Sequence, residues 1–318
     1  MARPDDSKSR NAEYGSVRLS NKLFEELSAF IHGEVGIKIT PVKKVMLEGR
    51  LQKRLRKLGM KSFEEYCTYL FSDEGRSGEL TDMIDEVTTN KTDFFREPGH
   101  FSLLTSRVLP ALVRTERYTA VNKLTIWSAG CSSGEEPYTI AMVVKNFTDV
   151  TGVPAIPLQI VATDISRRVL EKGQRAIYEE EKVIPVPPDI KKKYLLRSKN
   201  PGTGLVRIAP EVRSCVSFRR LNFMDSDFGF RERIDVIFCR NVIIYFDKVI
   251  QEKLLNKFCK CMKPGGYIFM GHSETLFGMD LPLEQVAPRT GKGHRRKVCG
   301  GIPGVRPLSQ RSISHRFS

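Results

Sequence analysis

The sequence predicts an α/β protein built on a doubly wound, mostly parallel sheet, with an all-α domain before the sheet and a small antiparallel β-subdomain inserted into it. Three observations predict this fold class. Apolar residues recur at helical spacing through the first hundred residues. From residue 124 onward, short apolar runs alternate with amphipathic segments, as in strands and crossover helices of a parallel sheet. The alternation breaks at Glu179, where Pro185, Pro187 and Pro188 precede a hairpin-like stretch.

The N-terminal part divides into a polar stretch and a helical domain. We expect residues 1–15 to be disordered and residues 16–105 to form the all-α domain. Ser20 is the predicted N-cap of its first helix, and Ser62 with Glu65 forms an S-x-x-E capping box. The predicted helices cover residues 20–33, 41–58, 62–70 and 79–88.

The predicted helix over residues 41–58 is strongly basic. Its Lys and Arg side chains lie mostly opposite an apolar stripe. Both a solvated basic face and a face that docks a partner are consistent with this pattern. The stripe consists of Val42, Val45, Met46, Leu51, Leu55 and Leu58.

The net charge of +15 is concentrated in two stretches. Residues 38–61 carry nine Lys or Arg against the single acid Glu48, and residues 285–318 carry eight and no acid. We expect residues 285–318 to be a disordered basic tail. Such patches suit nucleic acid, a membrane surface or an acidic protein, and the charge alone does not rank these partners.

The seven cysteines form no C-x-x-C pair, which predicts reduced thiols and neither a disulfide framework nor a metal site. No signal-peptide pattern and no apolar run long enough to span a bilayer is present. We therefore expect a cytoplasmic protein, and we expect it to be monomeric.

Residues 90–101, NKTDFFREPGHF, are unusual for a linker because two phenylalanines sit among polar side chains. One interpretation is a helix start with a hydrophobic plug. The other is a lid that lays Asn90, Thr92 and Arg96 over a ligand in the following domain.

Residues 124–138, LTIWSAGCSSGEEPY, predict a buried strand, a small-residue loop and a helix opening at Glu135. Gly130 permits a tight turn and a close approach of backbone to ligand. The spacing is not G-x-G-x-x-G, so the dinucleotide fingerprint is absent. Asp164 follows the next predicted strand, where an acid can accept hydrogen bonds from both ribose hydroxyls or can cap a helix. Together with the lack of a phosphate-binding pattern, loop and acid indicate S-adenosylmethionine.

The second domain is expected to span residues 106–284, with the β-subdomain inserted at about residues 180–213. Later strands are predicted over residues 216–221, 234–239 and 267–271. Ligands of such sheets bind outside the carboxyl ends of the strands. The polar residues collected there are Gly130, Glu135, Asp164, Asn222, Arg240, Asn241, Tyr245 and His272.

Five motifs in this order resemble the CheR-type chemotaxis receptor methyltransferases: NKTDFFRE, AGCSSGEEPYTIA, ATDIS, FCRNVIIYFD and CMKPGGYIFMGHSE. The resemblance runs from about residue 20 to about residue 278. It implies a Rossmann-like methyltransferase sheet and transfer of methyl from S-adenosylmethionine to glutamate carboxylates, leaving S-adenosylhomocysteine. It also implies a sensory array as the setting.

The resemblance assigns cofactor contacts along these motifs. It implies that the lid residues Asn90, Thr92 and Arg96 close over the methionine end, and that Glu135 lies near the methionine or ribose portion. Asp164 would bind the ribose. The remaining implied contacts are Asn222 and Phe223 at the adenine edge, and Arg240 and Asn241 beside the reactive centre.

The chemistry narrows the catalytic candidates to Arg96, Arg240 and Tyr245. A glutamate side chain has a pKa near ~4.3, so it is already an anion at neutral pH and needs no general base. Arg96 or Arg240 would orient this carboxylate. Tyr245 would guide it through its hydroxyl or would pack its ring under the cofactor. His272 is interpreted as a structural hydrogen-bonding residue.

The resemblance also implies partners. The basic helix over residues 41–58 would meet the cytoplasmic methylation helices of chemoreceptors, and residues 201–204 lie at the turn where some members tether a receptor C-terminal pentapeptide. The alternative function is a nucleic-acid methyltransferase, but residues 240–245 lack the N/D-P-P-Y/F motif of base-methylating enzymes. One departure is residues 288–294, where the family's last strand carries an aromatic residue that this chain lacks.

Overall fold

The computed structural model describes residues 17–116, 118–286 and 293–297. The predicted disorder of residues 1–15 lies outside these described residues, as does most of the predicted tail. None of the described helices is both long enough and apolar enough to cross a membrane.

The N-terminal domain is a bundle of helices, as predicted. Ser20 caps the first helix by accepting from the amide of Leu23, and Ser62 caps the third by accepting from Glu65. The last helix begins six residues earlier than predicted, because Ser72 supplies an N-cap and Asp73 and Glu74 suit the positive end of a helix. These elements are α1 (Asn21–Val35), a 3₁₀ turn (Pro41–Lys43), α2 (Lys44–Leu58), α3 (Phe63–Phe71) and α4 (Asp73–Val87).

A second helical segment leads into the sheet, and a π-helical turn divides it. Apolar side chains along it pack on one face of the sheet, in a cluster that also holds Phe94. The segment consists of α5 (Gly99–Leu103), the π turn (Leu104–Val108) and α6 (Leu109–Thr115).

The main sheet has seven strands in the order β6-β2-β1-β7-β8-β10-β9. The first five are parallel, and β10 and β9 are antiparallel to their neighbours. β1 and β7 are buried along their whole length, as expected for central strands covered on both faces. The strands are β1 (Leu124–Ala129), β2 (Leu158–Asp164), β6 (Val216–Arg220), β7 (Ile234–Cys239), β8 (Met262–Met270), β9 (Leu283–Gln285) and β10 (Gly293–Arg296).

The helices of this domain follow the predicted crossovers, and the insertion is a three-stranded antiparallel sheet of order β3-β5-β4. The helices are α7 (Glu135–Thr151), α8 (Arg167–Arg175), α9 (Pro188–Tyr194), α10 (Pro210–Arg213) and α11 (Lys248–Cys261). The inserted strands are β3 (Ile177–Glu179), β4 (Leu195–Arg197) and β5 (Leu205–Ile208).

The sequence interpretation was wrong at β10. Residues 293–296 were assigned to the disordered tail, but they form a strand that pairs with β8. An antiparallel ladder needs backbone groups and not a particular side chain. The aromatic surface is supplied from β8 instead, where the Tyr267 ring lies 5.8 Å beneath the Arg295 guanidinium.

The helical domain lies against the carboxyl ends of the parallel strands. Arg168 in α8 bonds to Glu86 at 2.8 Å, and Asn222 donates to the Glu34 carbonyl oxygen at 2.8 Å. The Lys38 amide donates to the Tyr245 carbonyl oxygen at 2.9 Å. These contacts close one cavity wall with residues of the helical domain.

Candidate active site

A cavity of about 310 Å³ lies between the carboxyl ends of β1, β2, β6 and β7 and the N-terminal domain. This is where doubly wound sheets bind ligands. All but one of the predicted site residues line it: Asn90, Thr92, Arg96, Gly130, Asp164, Asn222, Phe223, Arg240, Asn241 and Tyr245. The exception is Glu135.

The loop after β1 lines the cavity at Gly130, which has no side chain. Gly130 has φ 78°, and a Cβ there would lie 2.5 Å from Val242 Cγ2. Any side chain at this position would therefore collide with the loop after β7. The loop presents its backbone to the cavity because this glycine is small.

Asp164 stands opposite this loop at the end of β2, and it is buried. Its Oδ2 accepts from the Ser132 amide at 2.9 Å and its Oδ1 accepts from the Ser166 amide at 3.0 Å. Burial raises the pKa of this carboxyl, and the backbone donors oppose that rise. Ser166, and not Asp164, is the N-cap of α8. Each carboxylate oxygen keeps a second lone pair that can accept from a sugar hydroxyl.

The segment over residues 90–97 is anchored by a buried phenylalanine and lines the cavity. Phe94 is buried and packs edge-on against Tyr178 with ring centres 5.0 Å apart. The Ser132 hydroxyl donates to the Asn90 carbonyl oxygen at 2.9 Å, which ties the segment to the loop after β1. Phe94 is thus the predicted hydrophobic plug, and Asn90, Thr92 and Arg96 line the cavity. That these three residues close over a ligand stays a prediction.

Arg240 is held by two carboxylates and is almost fully buried, with 2% of its side chain exposed. Its guanidinium lies 3.1 Å from Glu97 Oε2 and 3.1 Å from Glu136 Oε2. It also donates to the carbonyl oxygen of Arg96. Its charge is thus more than balanced within the protein.

The two carboxyls of this arrangement differ in pKa. Burial opposes ionisation of Glu97, but the charge and hydrogen bonds of Arg240 outweigh it, so the pKa of Glu97 is lowered. Burial raises the pKa of Glu136, although Arg240 and the Ser128 hydroxyl oppose that rise. Arg240 therefore favours the ionised form of Glu97.

Arg96 differs from Arg240 although both line the cavity. Its guanidinium donates to the Lys91 carbonyl oxygen at 3.0 Å. Among the described residues, no carboxylate lies within 4.0 Å of it. Arg96 thus offers an unbalanced positive charge to a ligand, whereas Arg240 does not.

Glu135, the predicted contact, and its neighbour Glu136 differ in where their side chains lie. The Ser133 hydroxyl donates to the Glu135 carboxylate at 2.8 Å, and Glu135 does not line the cavity, whereas Glu136 does. Side chains of consecutive helical residues point about 100° apart. Of two neighbouring acids at the start of a helix, only one can therefore point into the cavity. The family-based contact at Glu135 stays a prediction, and Glu136 is the acid that the structure places on the wall.

Glu274, which the sequence interpretation did not assign, holds the segment after β7 in place. Asn241 has φ 59°, and a Cβ on Gly271 would lie 2.6 Å from its Nδ2. Glu274 accepts from the amides of Val242 at 2.8 Å and Ile243 at 3.0 Å. Glu274 stands in the GHSE motif and Glu97 directly follows Arg96, so both could have been found as acids inside motifs.

Asn222, Phe223 and Tyr245 are the remaining candidates. The Asn222 side chain donates to Glu34 and accepts from the Met224 amide at 3.0 Å, which fixes its orientation. The Phe223 ring contacts Trp127 edge-on. Tyr245 is half-buried at the rim, with Lys43 Nζ 5.8 Å from its ring centre.

Glu97, His100 and His272 bring potential metal-ligand atoms within 4.8 Å of one another. His100 is fully buried, and burial together with the Arg240 charge lowers its pKa to about 4. The guanidinium of Arg240 already lies 3.1 Å from Glu97 Oε2, where a metal ion would have to compete with it. A neutral imidazole packed against Phe269 accounts for the burial of His100.

Comparison with known proteins identifies both domains. Residues 90–291 match the family model described as CheR methyltransferase, SAM binding domain, and residues 22–88 match CheR methyltransferase, all-alpha domain. The chain is 38% identical over 277 residues to a chemotaxis protein methyltransferase of Borreliella burgdorferi, covering 87% of this chain and 96% of the relative.

Two enterobacterial proteins with the same description are comparably similar. The chain is 40% identical over 258 residues to the Klebsiella aerogenes protein, covering 81% of this chain and 84% of the relative. It is 38% identical over 260 residues to the Escherichia coli protein, covering 82% and 86%.

Proposed function

This chain belongs to the CheR family of S-adenosylmethionine-dependent chemotaxis methyltransferases, and we propose that its methyl acceptors are glutamate side-chain carboxylates on the cytoplasmic helices of chemoreceptors. The observation that carries the proposal is the contrast between the two cavity arginines. Arg96 has no carboxylate partner among the described residues, whereas Arg240 has two. The cavity is therefore prepared to receive a carboxylate at Arg96.

The residues present fit S-adenosylmethionine. Gly130 keeps the loop after β1 free of a side chain where Val242 approaches it, and each carboxylate oxygen of Asp164 keeps a lone pair beyond its bond to a backbone amide. We propose that Asp164 accepts from the ribose hydroxyls and that Asn222 and Phe223 flank the adenine. When bound, the cofactor supplies a methyl group on a positively charged sulfur.

The protein's own contribution to the reaction is orientation in a closed site. The acceptor carboxylate is already ionised at neutral pH, so the protein needs no general base. Charge is neutralised as the anion meets the cationic methyl donor, and a site that excludes water favours that change. Alignment of the two reactants provides much of the remaining acceleration.

Arg96 and Tyr245 have separate proposed roles. Arg96, at the lid, pairs with a carboxylate, either that of the cofactor's amino-acid end or that of the acceptor. Tyr245, at the rim, directs its hydroxyl to the acceptor. Arg240 does not bind the acceptor but holds the lid through the Arg96 carbonyl oxygen.

The β-subdomain offers a further receptor contact. β4 pairs with β5 on one side, and no described strand pairs with its other edge. We propose that an extended receptor C-terminal peptide adds to this small sheet through backbone hydrogen bonds. Removal of that peptide from the receptor should slow methylation, and deletion of residues 195–208 should abolish the difference.

The test is transfer of labelled methyl from S-adenosylmethionine to a chemoreceptor cytoplasmic fragment, followed by mild base. Glutamyl methyl esters release volatile labelled methanol, whereas methylated nitrogen does not. We expect base-labile label that is lost in Asp164→Ala and Arg96→Ala and retained in Arg114→Ala, a control at an exposed arginine of α6. Label that requires added RNA or DNA and survives base would refute the proposal.

Two measurements test the proposed roles of Tyr245 and Arg96 separately. They are the kcat of Tyr245→Phe and the affinity of Arg96→Ala for S-adenosylmethionine. Tyr245→Phe should lower kcat about tenfold, as expected for one lost hydrogen bond to a charged group. A calorimetric titration of Arg96→Ala with S-adenosylmethionine shows which of the two carboxylates Arg96 binds. Weakened binding assigns it to the cofactor carboxylate, and unchanged binding with a raised KM for the receptor assigns it to the acceptor.

A further inference from the structure

Tyr245 stands on a short 3₁₀ turn (Ile243–Tyr245) between β7 and α11. Within the turn, the Tyr245 amide donates to the Val242 carbonyl oxygen at 3.2 Å, and the Phe246 amide donates to the Ile243 carbonyl oxygen at 3.1 Å. The first amides and the last carbonyl oxygens of so short a helix have no partner within it. The orientation of the turn therefore depends on groups from elsewhere in the chain.

Glu274 closes the start of the turn from the segment after β8. Its Oε1 accepts from the Val242 amide at 2.8 Å and from the Ile243 amide at 3.0 Å, and its Oε2 accepts from the Gly271 amide. The side chain is buried. The turn has no side-chain cap of its own, so the carboxylate of Glu274 serves as its N-terminal cap from a distant part of the chain.

Gln251 closes the other end of the turn from α11. Its Nε2 donates to the Ile243 carbonyl oxygen at 2.8 Å and to the Phe246 carbonyl oxygen at 2.9 Å. A glutamine amide has two donor hydrogens, and both are used here. Neither Gln251 nor Glu274 lines the cavity, so an effect of either residue on a bound ligand has to pass through the turn.

We propose that Glu274 and Gln251 are positioning residues for methyl transfer, which hold the turn so that the Tyr245 hydroxyl meets the acceptor carboxylate. We call these two side chains the turn clamp. The inference rests on the proposed function and on the proposed role of Tyr245. It adds two residues that act on the reaction without touching either reactant.

Contacts at both ends are what fix the direction of the tyrosine. A turn held at one end can rotate about that contact, and the hydroxyl at the tip of a long side chain then moves furthest. A third contact, from the Lys38 amide to the Tyr245 carbonyl oxygen at 2.9 Å, joins the same turn to the helical domain. A misplacement of about 1 Å in a reacting geometry can cost about a hundredfold in rate. Loss of one clamp residue should therefore be visible in kcat.

Glu274→Gln and Gln251→Met perturb the clamp with little change in side-chain shape. The glutamine side chain offers one acceptor oxygen, so whichever backbone amides face its NH2 group lose their acceptor. The methionine side chain is also unbranched and removes both donors. We expect each variant to lower kcat for a chemoreceptor cytoplasmic fragment about tenfold, with an unchanged KM for that fragment.

A double-mutant cycle with Tyr245→Phe distinguishes positioning from a general loss of structure. When the hydroxyl is already absent, Gln251→Met should cost little more, because the clamp acts on the rate through that hydroxyl. Tyr245→Phe alone should lower kcat about tenfold, and the double variant about tenfold to twentyfold, where independent effects would give about a hundredfold. The matched controls are Glu171→Gln and Gln174→Met at exposed positions of α8, and both should leave kcat unchanged.

The position of the tyrosine can also be measured without methyl transfer. In protein with carbon-13-labelled tyrosine rings, the Tyr245 resonance is the one that Tyr245→Phe removes. This resonance should shift in Glu274→Gln and Gln251→Met and stay in place in the two controls. Where Glu274→Gln does not fold, Gln251→Met decides the matter, because Gln251 is only half-buried.

Three outcomes would overturn the inference. They are a wild-type kcat in Gln251→Met, a double variant that loses about a hundredfold, and a Tyr245 resonance that does not move. A wild-type kcat in Tyr245→Phe would also overturn it, while leaving the proposed function intact. Failure of the proposed function is distinct, since the wild type would then transfer no base-labile methyl to the receptor, and the resonance would still report on the clamp.

Discussion

Replacement of Glu97 by glutamine tests the arrangement around Arg240. Glutamine has nearly the same shape and keeps an acceptor oxygen, but it removes the negative charge. Glu97 is 14% exposed and Arg240 is 2% exposed, so water offers little compensation. We expect Glu97→Gln to weaken the contacts that fix the Arg240 guanidinium and, through it, the lid segment over residues 90–97.

The magnitude follows from the contacts. Hydrogen bonds to charged groups contribute about 1.5–3 kcal/mol. The two bonds from Arg240 to Glu97 are long, at 3.1 Å and 3.4 Å, and Glu136 remains as a partner of Arg240. We therefore expect Glu97→Gln to lower the free energy of unfolding by about 1–2 kcal/mol. Each kcal/mol corresponds to a fall in Tm of about 2–4 °C in a domain of this size.

The assay is urea unfolding at neutral pH, paired with kcat for methyl transfer. Glu171→Gln is the control, since Glu171 is an exposed acid of α8. Because the pKa of Glu97 is lowered in the folded state, its contribution is complete above ~4.3 and is lost as the pH falls through the folded-state pKa. The difference between wild type and variant should therefore shrink below that pH. Equal stability and equal kcat at neutral pH would refute the reasoning.

Three further predictions concern the loop, the helical domain and the histidine cluster. Gly130→Ala should weaken S-adenosylmethionine binding at least tenfold by calorimetry, because the methyl group would lie 2.5 Å from Val242 Cγ2; affinity equal to the wild type would show that the loop yields. Arg54→Leu should lower the free energy of unfolding by about 3–5 kcal/mol in urea, because it leaves Glu79 buried and unpaired; a loss below about 1 kcal/mol would contradict the importance of that pair. Treatment with EDTA, followed by removal of the chelator, should leave methyl transfer unchanged, because the Arg240 guanidinium already holds Glu97 Oε2 at 3.1 Å; a loss restored by added zinc would contradict this account.

The fold was predictable where the local sequence pattern and the packing of the folded chain favour the same secondary structure. β1 and β7 are continuous apolar runs, and Ser20 and Ser62 cap helices as their sequence patterns indicate. β10 was missed because a short strand at one side of a sheet depends on backbone pairing, which leaves little trace in side-chain composition.

Most of the cavity lining was predictable from the sequence motifs, but the charge balance of the site was not. Motif positions identified the residues that line the cavity, because the carboxyl ends of parallel strands meet at one edge. Sequence could not show that Arg240 is neutralised by Glu97 and Glu136 while Arg96 is not, since this depends on distances between segments far apart in the chain. The apolar stripe predicted over residues 41–58 was wrong at Val42 and Val45, which are 93% and 79% exposed. Val42 precedes α2, and Val45 lies about 200° around the helix from the buried Leu47.

The most direct test of the central claim is to locate the methyl group. A chemoreceptor cytoplasmic fragment would be methylated by the wild type and by Arg96→Ala, digested at acidic pH to preserve esters, and sequenced by tandem mass spectrometry. The account predicts methyl on glutamate side chains of the receptor helices with the wild type, and a strong reduction at the same glutamates with Arg96→Ala. Methyl found only on nitrogen-bearing side chains, or equal glutamate methylation by both proteins, would contradict it.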